Sequence, residues 1–171
     1  NAILEWEAAL KVDPSLLPAH FNLGTAYMMT GKLEPAENAF KHCLKLNSRQ
    51  EPALFNLAKV YQMQKKWDES SQQFNIFLEV TGPNPSAYAQ IGFNFNRQSD
   101  WRNAQTFLEK SVSLQPDNID TRIYLAEALG NLGQIEKARE QLQAALNPNP
   151  AQSAAINKMM ANLTNLQNTT P

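Results

Sequence analysis

Apolar positions recur along this chain in stripes three and four residues apart, interrupted at short intervals by Gly, Pro, Asn and Asp. Residues 2–12 open the series: Ile3, Trp6, Ala9, Leu10 and Val12 fall on one helical stripe, and Asp13-Pro14-Ser15 ends it. Paired stripes follow. They predict helices at 18–30 and 34–46, 52–64 and 68–80, 86–97 and 102–114, and 119–131 and 135–146, with a last helix at about 153–167. The junctions are turn-rich: Asn47-Ser48, Thr81-Gly82-Pro83-Asn84-Pro85, Gln115-Pro116-Asp117-Asn118 and Asn147-Pro148-Asn149-Pro150. No stretch alternates with the period of a half-buried strand, so no strand is expected.

The stripes are copies of one another. A step of 34 residues from Leu23 lands on Leu57, Ile91, Leu125 and Met159. The same step from Tyr27 meets Tyr61, Phe95, Leu129 and Leu163. Ala36 maps back to Ala2 and forward to Ser70, Ala104 and Ala138; Phe40 maps back to Trp6 and forward to Phe74, Leu108 and Leu142. A fixed period with matching chemistry in several columns means stacked copies of one helix–turn–helix unit. Gly24, Ala58, Gly92 and Ala126 form a small column that admits a close partner helix. Met160 breaks that column with a large side chain, and Phe77 breaks the column of Ala9, Cys43, Ser111 and Ala145. A bulky ring at 77 is expected to widen the local spacing or displace a neighbour. Pro35 falls in the first turn of its helix, where a missing N–H costs nothing, and Asp68 is expected to cap the second helix of the second repeat.

A unit of this length, with a Leu-Gly pair, then Tyr, a turn Gly, a small Ala, an aromatic and a closing Pro, resembles the tetratricopeptide repeat (TPR). The resemblance covers nearly the whole chain. It implies an all-α fold, a right-handed α-solenoid of antiparallel helix pairs. The expected layout is one solenoid over 1–171. It comprises a half repeat at 1–16, full repeats at 17–50, 51–84, 85–118 and 119–152, and a capping helix at 153–167. In such a stack stability is close to a nearest-neighbour sum, and uncovered ends fray or associate. The last helix suits a cap: Ile156, Met159, Leu163 and Leu166 share one side, with Asn157, Lys158, Asn162, Asn165 and Gln167 on the other. The tail Asn168-Thr169-Thr170-Pro171 reads as frayed.

Charge and candidate chemistry narrow the function. Fifteen basic and sixteen acidic residues leave a net charge of −1, which argues against a nucleic-acid partner, since that needs a clustered basic face. No apolar run approaches 18 residues, so no membrane span is expected. The single cysteine, Cys43, precludes an internal disulfide framework. His42 and Cys43 are helix neighbours pointing about 100° apart, and His20 lies on another helix. They make no metal or nucleophile site, and Cys43 reads as a small packing residue. Trp67 and Trp101 share a column with Leu33 and Ile135 and read as core. Asp68, Glu69 and Glu136 sit at helix starts, where negative charge suits the dipole. No Ser–His–Asp set is brought together. No enzyme activity, cofactor or metal is therefore expected. The chain begins within a repeat, with Ala2 already in the small column, and is expected to be a fragment of a longer protein. It assigns no compartment; the cytoplasm is favoured, with a periplasmic or exported location left open.

What remains is the face of the first helices not used for packing. The resemblance implies that these helices line a concave groove. That groove would present Phe21, Asn22, Thr25, Met28 and Met29; Phe55, Asn56, Lys59 and Met63; Gln90, Phe93, Asn96 and Arg97; and Tyr124, Glu127 and Gly130. Aromatics, methionines and amides with few charges distinguish an interface from plain surface. Asn22, Asn56 and Gln90 share one column, and an amide both donates to and accepts from a peptide backbone of any sequence. The expected function is a non-enzymatic scaffold that binds a partner's peptide segment in this groove. Two alternatives stand beside it: self-association through uncovered repeat ends, and a substrate-docking arm of a larger enzyme such as a glycosyltransferase. Related domains capture acidic chaperone tails with a basic clamp. Here the clamp positions hold Phe21, Phe55, Pro52, Ser86 and Gln90, so that partner class is not expected.

Overall fold

The computed structural model describes residues 2–146 and 150–169, with side-chain surroundings for 2–146 and 153–163. The junction at 147–149 and the terminal Thr170-Pro171 lie outside the described residues, as do the side chains of Asn165, Leu166 and Gln167. Ten helices and no strand occur among the described residues. They are α1 (Ala2–Val12), α2 (Leu17–Met29), α3 (Leu33–Leu46), α4 (Glu51–Met63), α5 (Trp67–Thr81), α6 (Pro85–Arg97), α7 (Trp101–Leu114), α8 (Ile119–Asn131), α9 (Ile135–Ala144) and α10 (Pro150–Thr169). Each expected helix is present, shifted by a few residues at most at either end. Asn168 and Thr169, expected to fray, are helical.

The chain forms two compact units, Asn1–Pro83 and Asn84–Pro171. The first contains α1–α5 and the second α6–α10. Isolated helices of this length are marginal in water, so each must be held by its neighbour. In the first unit, Phe40 is fully buried against Gly24, where an added Cβ would stand 2.8 Å from the ring. Phe74 is likewise fully buried. In the second unit, Leu108 fills the space above Gly92, and Leu125, Leu129, Leu142 and Ile156 complete the core. Burying one such side chain stabilises by roughly 2–3 kcal/mol. Phe77 sits under Phe55 with ring centres 5.4 Å apart. In the same column Cys43 and Ser111 turn instead to backbone carbonyls, at Leu17 and Pro85.

Caps fix where the helices begin. Gln50, Asn84 and Asn118 occupy one column, and each side-chain oxygen accepts from a backbone N–H three residues on, at 2.8, 3.0 and 2.9 Å. Asp100 caps α7 in the same way. Asp68 does not cap α5. The capping position is Lys66, whose side chain makes no cap bond, and Asp68 is the second helical residue.

The turn inside each repeat also has a fixed conformation. Gly31, Lys65, Ser99 and Gly133 are 34 residues apart and all have positive φ, at 72°, 60°, 59° and 74°. A left-handed residue closes the first helix and starts the chain back. Glycine adopts this conformation freely; lysine and serine do so at a cost of about 1 kcal/mol. Lys65→Gly and Ser99→Gly are therefore each expected to stabilise by about 0.5–1 kcal/mol, read as a higher urea midpoint at unchanged slope.

Candidate functional site

Each unit presents the free face of two first helices. In the first unit these are α2 and α4. Met29 is 80% exposed and Met63 is 51% exposed, at the ends of the two helices. Asn22 and Asn56, two turns earlier on the same helices, are half-buried. Phe21 and Phe55 are half-buried, because each packs edge-on against a second helix: Phe21 on Phe40 at 5.8 Å, Phe55 on Phe74 at 5.2 Å. Their rings therefore form the floor of this face rather than project from it. The Thr25 hydroxyl donates to the Phe21 carbonyl of its own helix at 3.0 Å. Lys59 is half-buried, and that burial pushes its pKa below the usual lysine value.

In the second unit the face belongs to α6 and α8, and its side chains interlock. Phe93 and Tyr124 lie 5.1 Å apart, and the Arg97 guanidinium sits 5.5 Å from the Phe93 ring centre. Arg97 donates to Glu127 Oε1 at 2.9 Å. Asn96 is only 2% exposed; its amide nitrogen donates to the Tyr124 carbonyl at 2.9 Å and to Glu127 Oε2 at 3.2 Å. The Asn96 side chain thus braces α6 against α8 instead of facing outward. Burial raises the Tyr124 pKa; Asp120 and Glu127 add to the shift and Arg97 opposes it. Gln90 is half-buried on α6. Register along the helix assigns all these residues to one face, but it does not distinguish an amide that reaches a neighbouring carbonyl from one that stays open.

Tetratricopeptide repeat models match residues 18–49, 52–80 and 96–163. The chain belongs to the tetratricopeptide repeat family. The solved structures it resembles agree in fold. MamA is 20% identical over 91% of this chain and 89% of its own, with a TM-score of 0.81. YrrB, described as a TPR protein with an unusual peptide-binding site, is 18% identical over 96% of this chain and 84% of its own, with a TM-score of 0.79. A TPR protein from Parabacteroides merdae is 17% identical over 95% of this chain and 68% of its own, with a TM-score of 0.80. No curated protein matches the chain by sequence.

Elsewhere in this TPR chain the thiol is packed, while His20 is half-buried and His42 exposed. Cys43 is fully buried, and burial pushes its thiol up to about 11, far from the thiolate a nucleophile needs. His20 and His42 stack with ring centres 5.0 Å apart. No group of three or more His, Cys, Asp or Glu residues that could hold a metal occurs among the described residues. No described helix is long and apolar enough to cross a membrane.

Proposed function

We propose that the chain is a non-enzymatic protein-interaction scaffold that binds a peptide segment of a partner on the free faces of its first helices. The observation that carries this reading is that Met29 and Met63 are exposed on the same helices that carry the half-buried Asn22 and Asn56. A plain solvated surface would carry Lys and Glu there. Methionine is adaptable and apolar, so it fits varied partner side chains, while the amides pair with backbone. The packed floor of Phe21 and Phe55 keeps this face rigid, which reduces the ordering cost of binding. In the second unit Gln90, Phe93 and Tyr124 offer a similar mixture. The Arg97–Glu127 pair is neutral overall, so charge selection there is weak, and Lys59 is the cation that would favour an acidic partner residue. The resemblance to YrrB supports peptide recognition by this fold. Self-association is the second reading. It is favoured by α1, which has no buried residue and leaves Leu4 61% and Val12 88% exposed.

One experiment separates the two. The chain, first sized by light scattering, is applied to an array of immobilised random dodecapeptides alongside the variant Asn22→Ala, Met29→Ser, Asn56→Ala, Met63→Ser. Loss of most bound peptides, at unchanged helical circular dichroism, is the expected result. Each lost methionine contact is worth about tenfold or more, so the two methionines alone should weaken binding by about a hundredfold. Retention of the whole peptide set would overturn the reading. A concentration-dependent mass that Leu4→Ser and Val12→Ser abolish would favour self-association.

A further inference from the structure

Within each repeat the twelfth residue lies near the end of its first helix. In the first unit this is Met28, which packs on the core, and Gln62, which is 8% exposed. In the second unit it is Asn96, whose side chain crosses to α8 as described above. The fourth member of the column is Gly130. With no side chain there, a cavity of about 160 Å³ opens between α8, α9 and α10. Ala126, Leu142, Met159 and Leu163 form its walls, and Glu127, Asn131 and Asn162 its rim. The glycine is what keeps it open: an added Cβ would stand 2.9 Å from Leu163 Cδ2.

We propose that this cavity takes one aliphatic side chain, of leucine, isoleucine or methionine, from a bound peptide. The proposal rests on the peptide-binding reading above and specifies a subsite for it. The size fits, since an apolar protein cavity of roughly 150 Å³ holds a small hydrocarbon ligand. At the same position the other three repeats carry a side chain of their own, Met28, Gln62 and Asn96. The fourth leaves the slot for a partner's. The walls are apolar. The one charge on the rim, Glu127, is already held by Arg97 and Asn96, so it repels an anion and gives a cation little that is unpaired. Asn131 donates its amide N–H to its own helix at Glu127 O, at 2.9 Å, which leaves its side-chain oxygen to accept from a peptide N–H. Asn162 is exposed on the opposite rim. A peptide backbone crossing between these two amides would drop a side chain into the well.

The test uses small probes with the full chain: the N-acetyl methylamides of leucine, glycine, lysine and phenylalanine, titrated while backbone amide resonances are followed. The leucine probe is expected to shift Gly130, Asn131 and Asn162, with binding roughly tenfold or more tighter than the other three. Gly130→Met supplies the missing side chain and should abolish these shifts while leaving dodecapeptide binding by the first unit unchanged. Met159→Ala enlarges the well and should move the preference toward the phenylalanine probe. It also decides the matter if Gly130→Met does not fold. Equal response to all four probes, an unchanged leucine response in folded Gly130→Met, or an unchanged order in Met159→Ala overturns the proposal. Loss of array binding in the Asn22, Met29, Asn56, Met63 variant bears on the general reading alone and leaves these shifts in place.

Discussion

Gly92→Val is expected to destabilise the second unit by about 3 kcal/mol, and Gly92→Ala by about 1–2 kcal/mol. A Cβ at position 92 would stand 2.4 Å from Leu108 Cγ, 2.8 Å from Leu108 Cδ2 and 3.3 Å from the Ala104 carbonyl. The nearest atom is a branch carbon, and Leu108 is fully buried among the second unit's core residues, so it cannot swing aside. Overpacking of this kind costs about 1–3 kcal/mol, occasionally more. Alanine recovers nearly 1 kcal/mol in helix propensity over glycine, which does not offset a contact this short. Valine loses that recovery to β-branching and adds a methyl group on the crowded side. Gly130→Ala is the control: its Cβ meets only a terminal methyl of Leu163, which can rotate, so that variant should be near neutral. Urea unfolding followed by circular dichroism reads both. The clash also predicts coupling: Leu108→Ala in the Gly92→Ala background should cost less than in the wild type. A Gly92→Ala protein as stable as the wild type would show that α6 and α7 are not held at this distance.

The close approach was legible in the sequence. The column of Gly24, Ala58, Gly92 and Ala126 marks where a partner helix comes close, and the structure adds that Phe40 and Leu108 are what fill the space at Gly24 and Gly92. The turn column was legible in half its members. Gly31 and Gly133 announce a left-handed residue, whereas Lys65 and Ser99 do not; there the packing of two helices onto each other imposes a conformation their own preferences oppose. The Asp68 cap failed because the helix begins one residue earlier, at Trp67, with Lys66 in the capping position. At the candidate site the sequence does not separate a braced side chain from an open one. Asn96 and Asn56 look alike in one dimension, but Asn96 is enclosed because α8 brings a carbonyl within reach. Gly130 stood in plain view in a column of Met, Gln and Asn. A lone helical glycine reads as a propensity defect until the neighbouring helices show the space it leaves.

Removing Glu37 is expected to cost the first unit about 1–2 kcal/mol at pH 7, and that cost should vanish in acid. Glu37 lies on α3, with its side chain 13% exposed. Lys41 donates to it at 2.6 Å, Gln64 at 2.9 Å and Lys66 at 3.1 Å. Lys41 and Lys66 also sit over the Tyr61 ring, 5.8 and 5.5 Å from its centre. One carboxylate thus ties α3 to the α4–α5 turn of the next repeat, where a solenoid depends on neighbour contacts. Burial alone would raise its pKa, but the three hydrogen bonds and the Lys41 charge outweigh it and hold the carboxyl at about 2 instead of 4.5. A shift of that size corresponds to at most about 3 kcal/mol; the lysines are 52% and 42% exposed, and solvent screening reduces it to the stated range. The sign follows from the depressed pKa: the contribution is complete above pH 4.5, declines below it, and is lost as the pH falls through about 2. Glu37→Gln preserves shape and removes the charge. Its stability difference from wild type, measured by urea unfolding, should be near its full value at pH 7 and pH 5, about half at pH 3 and close to zero at pH 2. Other carboxylates titrate in the same range, but they do so in both proteins and cancel in the difference. A difference that stays constant from pH 7 to pH 2 would mean that packing of the side chain, and not its charge, joins these repeats.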